Sequence, residues 1–278
     1  HSESDDEPTV KQNKVSDKGI RLQQFFQKRR GTPQYKTMLE SRQDLPMYSY
    51  RQDLLDTIRD NQVTVLCAET GAGKTTQCGQ FLLEEALNDG FGNEISILCT
   101  QPRRVSAISV AERVSEEFGD KHVGDTIGYH IRLESKKSVR TKLLFCTTGV
   151  VLRRLQDDPN LVGVTHVLVD EVHERQWQID FLLIALRRLI HTTRKDLKVV
   201  LMSATLDAEL FTKFFPGAPL LKVPGRTYPV MNYYLEDLID ATDHVVEEGS
   251  RYALRNQRDN NRSGSVFVTT KGGEKRRE

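Results

Sequence analysis

From Gln62 to Val246, short apolar runs alternate with longer segments whose apolar residues recur at helical spacing. The runs are VTVLCAE (63–69), ISILCTQ (95–101), KLLFCTT (142–148), HVLVDE (166–171), KVVLMSA (198–204) and PLLKV (219–223). Each is apolar at successive positions rather than at every second one, so both of its faces need cover, as in strands of a parallel sheet held between two helix layers. Cys78–Leu87 is one of the helical segments between them. The alternation predicts an α/β fold with a mostly parallel central sheet flanked by helices.

The ends differ from this middle. Residues 1–18 are acidic and polar and read as a disordered tail. Residues 19–61 read as a helical lead-in, with helices over Ile20–Arg29 and Tyr50–Arg59, breaks at Pro33 and Pro46, and contact with the core expected. Residues 62–246 are the expected domain, and 247–278, which run through SRYALRNQRDNNRSGS to KGGEKRRE, read as a disordered linker.

Composition narrows the function classes. A 37% apolar content in 278 residues supplies the core of about one domain. The formal charge of +1 gives no bulk reason to bind nucleic acid, so any such binding has to come from a local face. No run of about 18 apolar residues and no basic-then-apolar opening is present, so neither membrane insertion nor secretion is expected. Cys67, Cys78, Cys99 and Cys146 have no paired spacing and read as small core residues in a reducing compartment.

The candidate chemistry starts at CAETGAGKTTQ (67–77), directly after the first apolar run. Gly71 and Gly73 allow positive φ and bring several N–H groups around one concave point, where an anion is stabilised. Lys74 places an ammonium over the β- and γ-phosphates, and Thr75 offers a hydroxyl to Mg²⁺ at the start of a helix. Thr70, Gly71, Ala72, Gly73, Lys74, Thr75 and Thr76 are therefore the expected phosphate cradle of ATP or another NTP. Ala68 stands where the Walker pattern has glycine, which narrows the backbone choices there. The second site is Asp170–Glu171 in HVLVDEVHER, at a strand's carboxyl end, where ligands bind in such sheets. Asp170 suits Mg²⁺ through water, Glu171 is free to orient the attacking water, and His173 is placed for a polar relay. Thr75, Asp170 and Glu171 are the expected metal set, and Lys74, Asp170, Glu171 and His173 the expected catalytic set.

GAGKTT, TQPRRVSA (100–107), TTGVVLRRL (147–155), DEVHER (170–175) and SAT (203–205) resemble, in order and spacing, motifs I, Ia, Ib, II and III of the DEAH/RHA helicases of superfamily 2. The likeness covers residues 35–240 and implies a RecA-like lobe. DEVH, together with TPQYKTMLESRQDLPMYSYRQDLLDTI, most resembles the branch of cytoplasmic RNA helicases associated with translation and G-quadruplexes. It implies a cytoplasmic location, the nucleus being the alternative, and a ribosome or ribonucleoprotein among the partners. In that family the loop has serine where Ala72 stands, so an altered nucleotide affinity is expected. The resemblance implies that Arg103 and Thr147 contact the sugar–phosphate backbone of single-stranded or structured RNA, with Arg104, Thr148 and Arg153 as further candidates. Arg113 matches a residue that stacks on the nucleotide base, and Ser203 and Thr205 match the element coupling the metal-carboxylate loop to the RNA loops.

The resemblance also implies an enzyme that couples ATP hydrolysis to 3′–5′ movement on RNA. A second RecA-like lobe and C-terminal domains would complete it, the lobe supplying arginine fingers worth roughly 10³–10⁵ in rate. Without a QxxGRxGR-type motif, this chain alone is expected to bind nucleotide weakly and hydrolyse it hardly at all. Two other readings stay open at this point. One is a non-helicase P-loop ATPase or kinase, and the other a non-catalytic nucleotide-binding module.

Overall fold

A computed structural model of the chain describes residues 15–204, 208–225, 230–242, 267–269 and 275–277. They divide into two compact units, His1–Arg226 and Thr227–Glu278, so the expected boundary at 246 lies within the second.

The first unit holds an eight-stranded sheet. Its strands are β1 (Val63–Ala68), β2 (Ile97–Gln101), β3 (Ile127–Ile131), β4 (Glu134–Lys136), β5 (Leu143–Thr147), β6 (His166–Val169), β7 (Lys198–Ser203) and β8 (Leu220–Val223). The spatial order is β4-β3-β5-β2-β6-β7-β1-β8, with every pairing parallel except β3 with β4. All six expected runs are strands of this sheet. Their successive residues go to opposite faces, as the two-residue period of a strand requires. Leu66 and Ala68 join one buried cluster while Val65 and Cys67 join the other. The expected mostly parallel α/β sheet is therefore the observed one.

Helices α1 (Asp17–Arg30), α2 (Pro33–Gln43), α3 (Pro46–Ser49), α4 (Arg51–Asp60), α5 (Lys74–Asn88) and α6 (Arg104–Glu117) precede β3 in the chain. All six send side chains into the first cluster, among them Phe26, Tyr35, Met47, Leu54, Phe81 and Ala107. Helices α7 (Thr148–Asp157), α8 (Trp177–Thr192) and α9 (Ala208–Phe214) supply the second, through residues such as Val151, Leu186 and Phe211.

Two readings of the lead-in are corrected. Pro33 and Pro46 do not break helices; each opens one, at a first-turn position where a missing N–H leaves no bond unmade. Thr32 caps α2 by accepting from the Tyr35 N–H at 3.3 Å. The sheet also gains β3 and β4, which were not expected. Gly128 and His130 interrupt the apolar character of β3, and β4 is a fully exposed three-residue edge strand with nothing to bury.

The four cysteines are free and buried, and burial pushes the Cys146 thiol up to about 12. No helix among the described residues is long and apolar enough to cross a membrane. In the second unit, α10 (Leu235–Thr242) is followed by β9 (Phe267–Thr269) and β10 (Lys275–Arg277), an antiparallel pair inside the segment expected as linker.

One consequence concerns acid stability. His166, at the start of β6, lies beside Lys198 of β7. Burial first, and the Lys198 charge second, push its imidazole down to about 4. An unfolded chain takes up that proton near pH 6.5, so below this value the unfolded state binds more protons than the folded one. Stability is then full above about pH 6.5 and is lost by up to roughly 1.4 kcal/mol per pH unit as the pH falls toward 4. Urea melts of the chain and of His166→Gln across this window should show a shallower slope in the variant; parallel slopes would rule the account out.

Candidate functional site

The loop after β1 turns on Gly71 (φ 83°) and Gly73 (φ 93°), both left-handed. A Cβ at Gly73 would meet Leu45 Cδ1 at 2.9 Å, so that position is held by sterics as well as by φ. Ala68 ends β1 in ordinary extended backbone, and a glycine's freedom is not called upon there. Ala72 is fully buried, and its carbonyl accepts from the Met47 N–H at 3.0 Å. The lead-in segment thus braces the loop from behind. Lys74 is the first residue of α5, so the ammonium and the positive end of the helix dipole share one rim.

Residues far apart in sequence meet at this rim. Thr75 Oγ1 donates to Asp170 Oδ2 at 2.6 Å across a separation of 95 residues. Lys74 Nζ lies 2.9 Å from Glu171 Oε1 and 3.7 Å from Asp170 Oδ1. The turn that brings Glu171 back toward Lys74 is left-handed at Glu171 itself (φ 54°), an uncommon conformation for glutamate that costs on the order of 1 kcal/mol or more. The Glu171 N–H donates to Asp170 Oδ1 at 2.9 Å. Gln101, at the end of β2, donates to Asp170 Oδ2 at 2.8 Å.

The electrostatics follow from depth. Asp170 is 1% exposed, and its burial raises the carboxyl pKa against the opposing pull of Lys74. Burial pulls the Lys74 ammonium down, but Asp170 and Glu171 together outweigh it and hold the group above its ordinary value. His173 Nδ1 stands 3.4 Å from Glu171 Oε2 and accepts from the Ala204 N–H at 3.3 Å, tying the carboxylate turn to the end of β7. Ser203 is buried beside it, and Thr205 lies outside the described residues.

Arg113 does not touch the phosphate loop. It is half exposed, and its Nε donates to Glu117 Oε1 at 2.7 Å. Glu117 in turn accepts from Gln77 at 2.9 Å, and Gln77 also donates to Thr76 Oγ1 at 2.9 Å. Sequence reasoning missed Gln77, Glu117 and Gln101. A glutamine ending an apolar strand run was the one local signal, and it was available for Gln101 alone.

Four of the five expected RNA contacts line one concavity of about 1240 Å³: Arg104, Thr147, Thr148 and Arg153. The Thr148 hydroxyl is buried and has no hydrogen-bond partner among the described residues. The fifth, Arg103, is exposed and reaches Glu174 at 3.3 Å. His130, Arg132 and the exposed Trp177 share the lining.

Among the described residues no group of three or more His, Cys, Asp or Glu could hold a metal by itself. One hydroxyl and two carboxylates are nevertheless a donor set of the kind that would suit Mg²⁺, a hard cation bound in proteins through only one or two carboxylates.

Comparison with known proteins places the chain. The DEAD/DEAH box helicase family matches residues 48–212, a span containing both carboxylates and the whole phosphate loop. The chain is 50% identical over 227 residues (82% of its length and 16% of the relative's) to the human "Putative ATP-dependent RNA helicase DHX57". It is 47% identical over 244 residues (88% and 24%) to the Arabidopsis thaliana "DExH-box ATP-dependent RNA helicase DExH1". To human "ATP-dependent RNA helicase DHX29" the identity is 43% over 257 residues (91% and 19%). The chain spans about a sixth to a quarter of the length of these relatives. With more than half of its residues matched, the chain belongs to the DEAD/DEAH box helicase family, and its mostly parallel α/β sheet is a RecA-like lobe of that family.

Proposed function

We propose that this chain is the first RecA-like lobe of an NTP-dependent RNA helicase, whose whole protein couples Mg–ATP hydrolysis to 3′–5′ movement on single-stranded RNA. The observation that carries the reading is the meeting of Lys74 and Thr75 with Asp170 and Glu171. The loop N–H groups and Lys74 bind the phosphates, Lys74 exchanging a carboxylate partner for phosphate oxygens. Thr75 and Asp170 would hold Mg²⁺, with Glu171 beside them. When bound, the ion neutralises charge on the β- and γ-phosphate oxygens. Glu171 orients a water and accepts its proton at a carboxylate oxygen. His173, in contact with both Glu171 and the Ala204 N–H, transmits the state of that carboxylate to the end of β7. Arg113 acts through Glu117 and Gln77 on Thr76, which steadies the loop from the base side.

The concavity after β2 and β5 is the proposed RNA groove. Its donors are guanidinium and hydroxyl groups suited to phosphate and sugar, which carry no base information. Following the γ-phosphate by radiolabel separates hydrolysis from transfer to an acceptor, and label on any acceptor would favour a kinase. For the groove, Arg104→Ala with Arg153→Ala should weaken single-stranded RNA binding about tenfold whatever the sequence and flatten the log affinity against log salt slope by about 1.4. Binding that survives high salt and demands one sequence would overturn the groove assignment.

A further inference from the structure

A second concavity, of about 880 Å³, opens where α1, the loop between α6 and β3, and β4 come together. Of its fourteen lining residues six are Lys or Arg and one is acidic, in a chain whose net charge is +1. Arg29 is committed to Asp120 at 2.5 Å and Arg140 to Asp125 at 2.8 Å. Lys28, Lys121, Lys136 and Lys137 have no carboxylate within 4.0 Å among the described residues, and all four are exposed. Lysines on an edge strand such as β4 also discourage pairing with another chain. That role does not gather lysines from three separate elements into one cleft. Mutual repulsion disfavours such a gathering, weakly for exposed groups that water and salt screen, and an anion in the cleft relieves it. Phe25, an apolar ring 54% exposed, lies in the same wall. The Arg29 guanidinium lies over one face of that ring, 4.8 Å from its centre, and Lys136 lies 5.7 Å from the centre of the Tyr129 ring. Lysines without a carboxylate partner beside a half-exposed aromatic ring are a combination that holds single-stranded nucleic acid, the cations on phosphates and the ring against a base.

The position of the cleft gives it an occupant. Lys137 lines both this cleft and the groove that contains Arg104, Thr148 and Arg153. The Lys137 charge reaches the groove wall, since after burial it is the next cause lowering the His130 imidazole. We propose that the cleft is a second backbone site for the same RNA strand, which leaves the groove across Lys137 and continues over the sheet edge between β4 and α1. This rests on the groove reading above and extends it to residues outside the helicase motifs. Recognition is of phosphate and stacked base, without sequence preference.

The test compares RNA length. Fluorescence anisotropy would be measured on the full chain with oligonucleotides of about 5 and about 16 nucleotides, bracketing the lengths that such grooves accommodate. The variants are Lys121→Glu with Lys136→Glu in the cleft, and Arg188→Glu with Lys195→Glu, an equal charge change on exposed residues that line neither concavity. The cleft pair should weaken the long oligonucleotide about tenfold and lower its salt slope by about 1.4 relative to the control pair, leaving the short one unchanged. Equal long-oligonucleotide affinity in the two pairs overturns the proposal. A wild-type chain that binds the long but not the short oligonucleotide, with the cleft pair still defective, keeps the cleft and removes the groove; one that binds neither removes both.

Discussion

Lys74→Ala is expected to lower Mg–ATP affinity by about 30-fold to several thousand-fold, the equivalent of the roughly 2–5 kcal/mol lost when one partner of a buried charge pair is removed. The size follows from where the ammonium sits. Its side chain is 7% exposed, it lies at the start of α5, and it is already engaged with two carboxylates. Phosphate binding at this rim brings further negative charge toward Asp170 and Glu171, and Lys74 is the cation that offsets it. In the variant the bound phosphates face two carboxylates with no ammonium between them. Titration calorimetry with Mg–ATP, run at a temperature where melting shows both proteins folded, measures the effect. Equal affinity in the two proteins would mean that nucleotide binds elsewhere, and the chain would then be a module in which this loop is ornamental to binding.

Much of this site was legible in the sequence because its signals are local. The run VTVLCA, the glycines at 71 and 73, and the Lys-Thr that follows are consecutive, and each imposes its own backbone or charge requirement. The Asp170–Glu171 pair was legible for the same reason, being attached to the end of an apolar run. Ala68 raised a doubt that the fold answers, since a strand residue in extended backbone has no use for glycine. The lead-in was misjudged because proline is ambiguous: Pro33 and Pro46 can close one helix or open the next, and the Thr32 cap that decides the first case is a weak pattern by itself. Strand β4 left no trace because three exposed polar residues on a sheet edge have no periodicity to read. Least legible of all was the packing of α2 against α5 and α6, which joins Arg42 to Gln77, Glu84 and Glu117, all distant in sequence, through polar and charged groups that look solvated in a linear reading.

That hidden junction gives the second large prediction, for stability. Arg42 is fully buried, with Nε donating to Gln77 at 2.8 Å and a terminal nitrogen to Glu84 at 2.7 Å, and Glu117 lies 3.8 Å from Nε. Burial lowers the guanidinium pKa, yet Glu84, aided by Tyr35 and Glu117, more than restores it, so the charge stays in place. Tyr35 also donates to Glu84 at 3.1 Å, and its phenol is held well above the usual range by burial and by that carboxylate. Arg42→Ala leaves Glu84 buried with only the more distant Arg51 at 3.4 Å, while Glu117 keeps Arg113, and losing the principal cation of Glu84 should cost about 3–5 kcal/mol. For a domain of this size that is a fall in Tm of roughly 6–20 °C, a large share of a total stability of about 5–15 kcal/mol. Replacing the pair, as Arg42→Met with Glu84→Gln, removes the stranded charge as well as its partner and should recover part of the loss. Because Gln77 also contacts Thr76 of the phosphate loop, the single variant should weaken Mg–ATP binding even below its Tm. Differential scanning calorimetry with and without Mg–ATP reads both effects. An Arg42→Ala protein that melts with the wild type would show that the buried carboxylates find other partners, and the lead-in would then be packing on the loop without holding it.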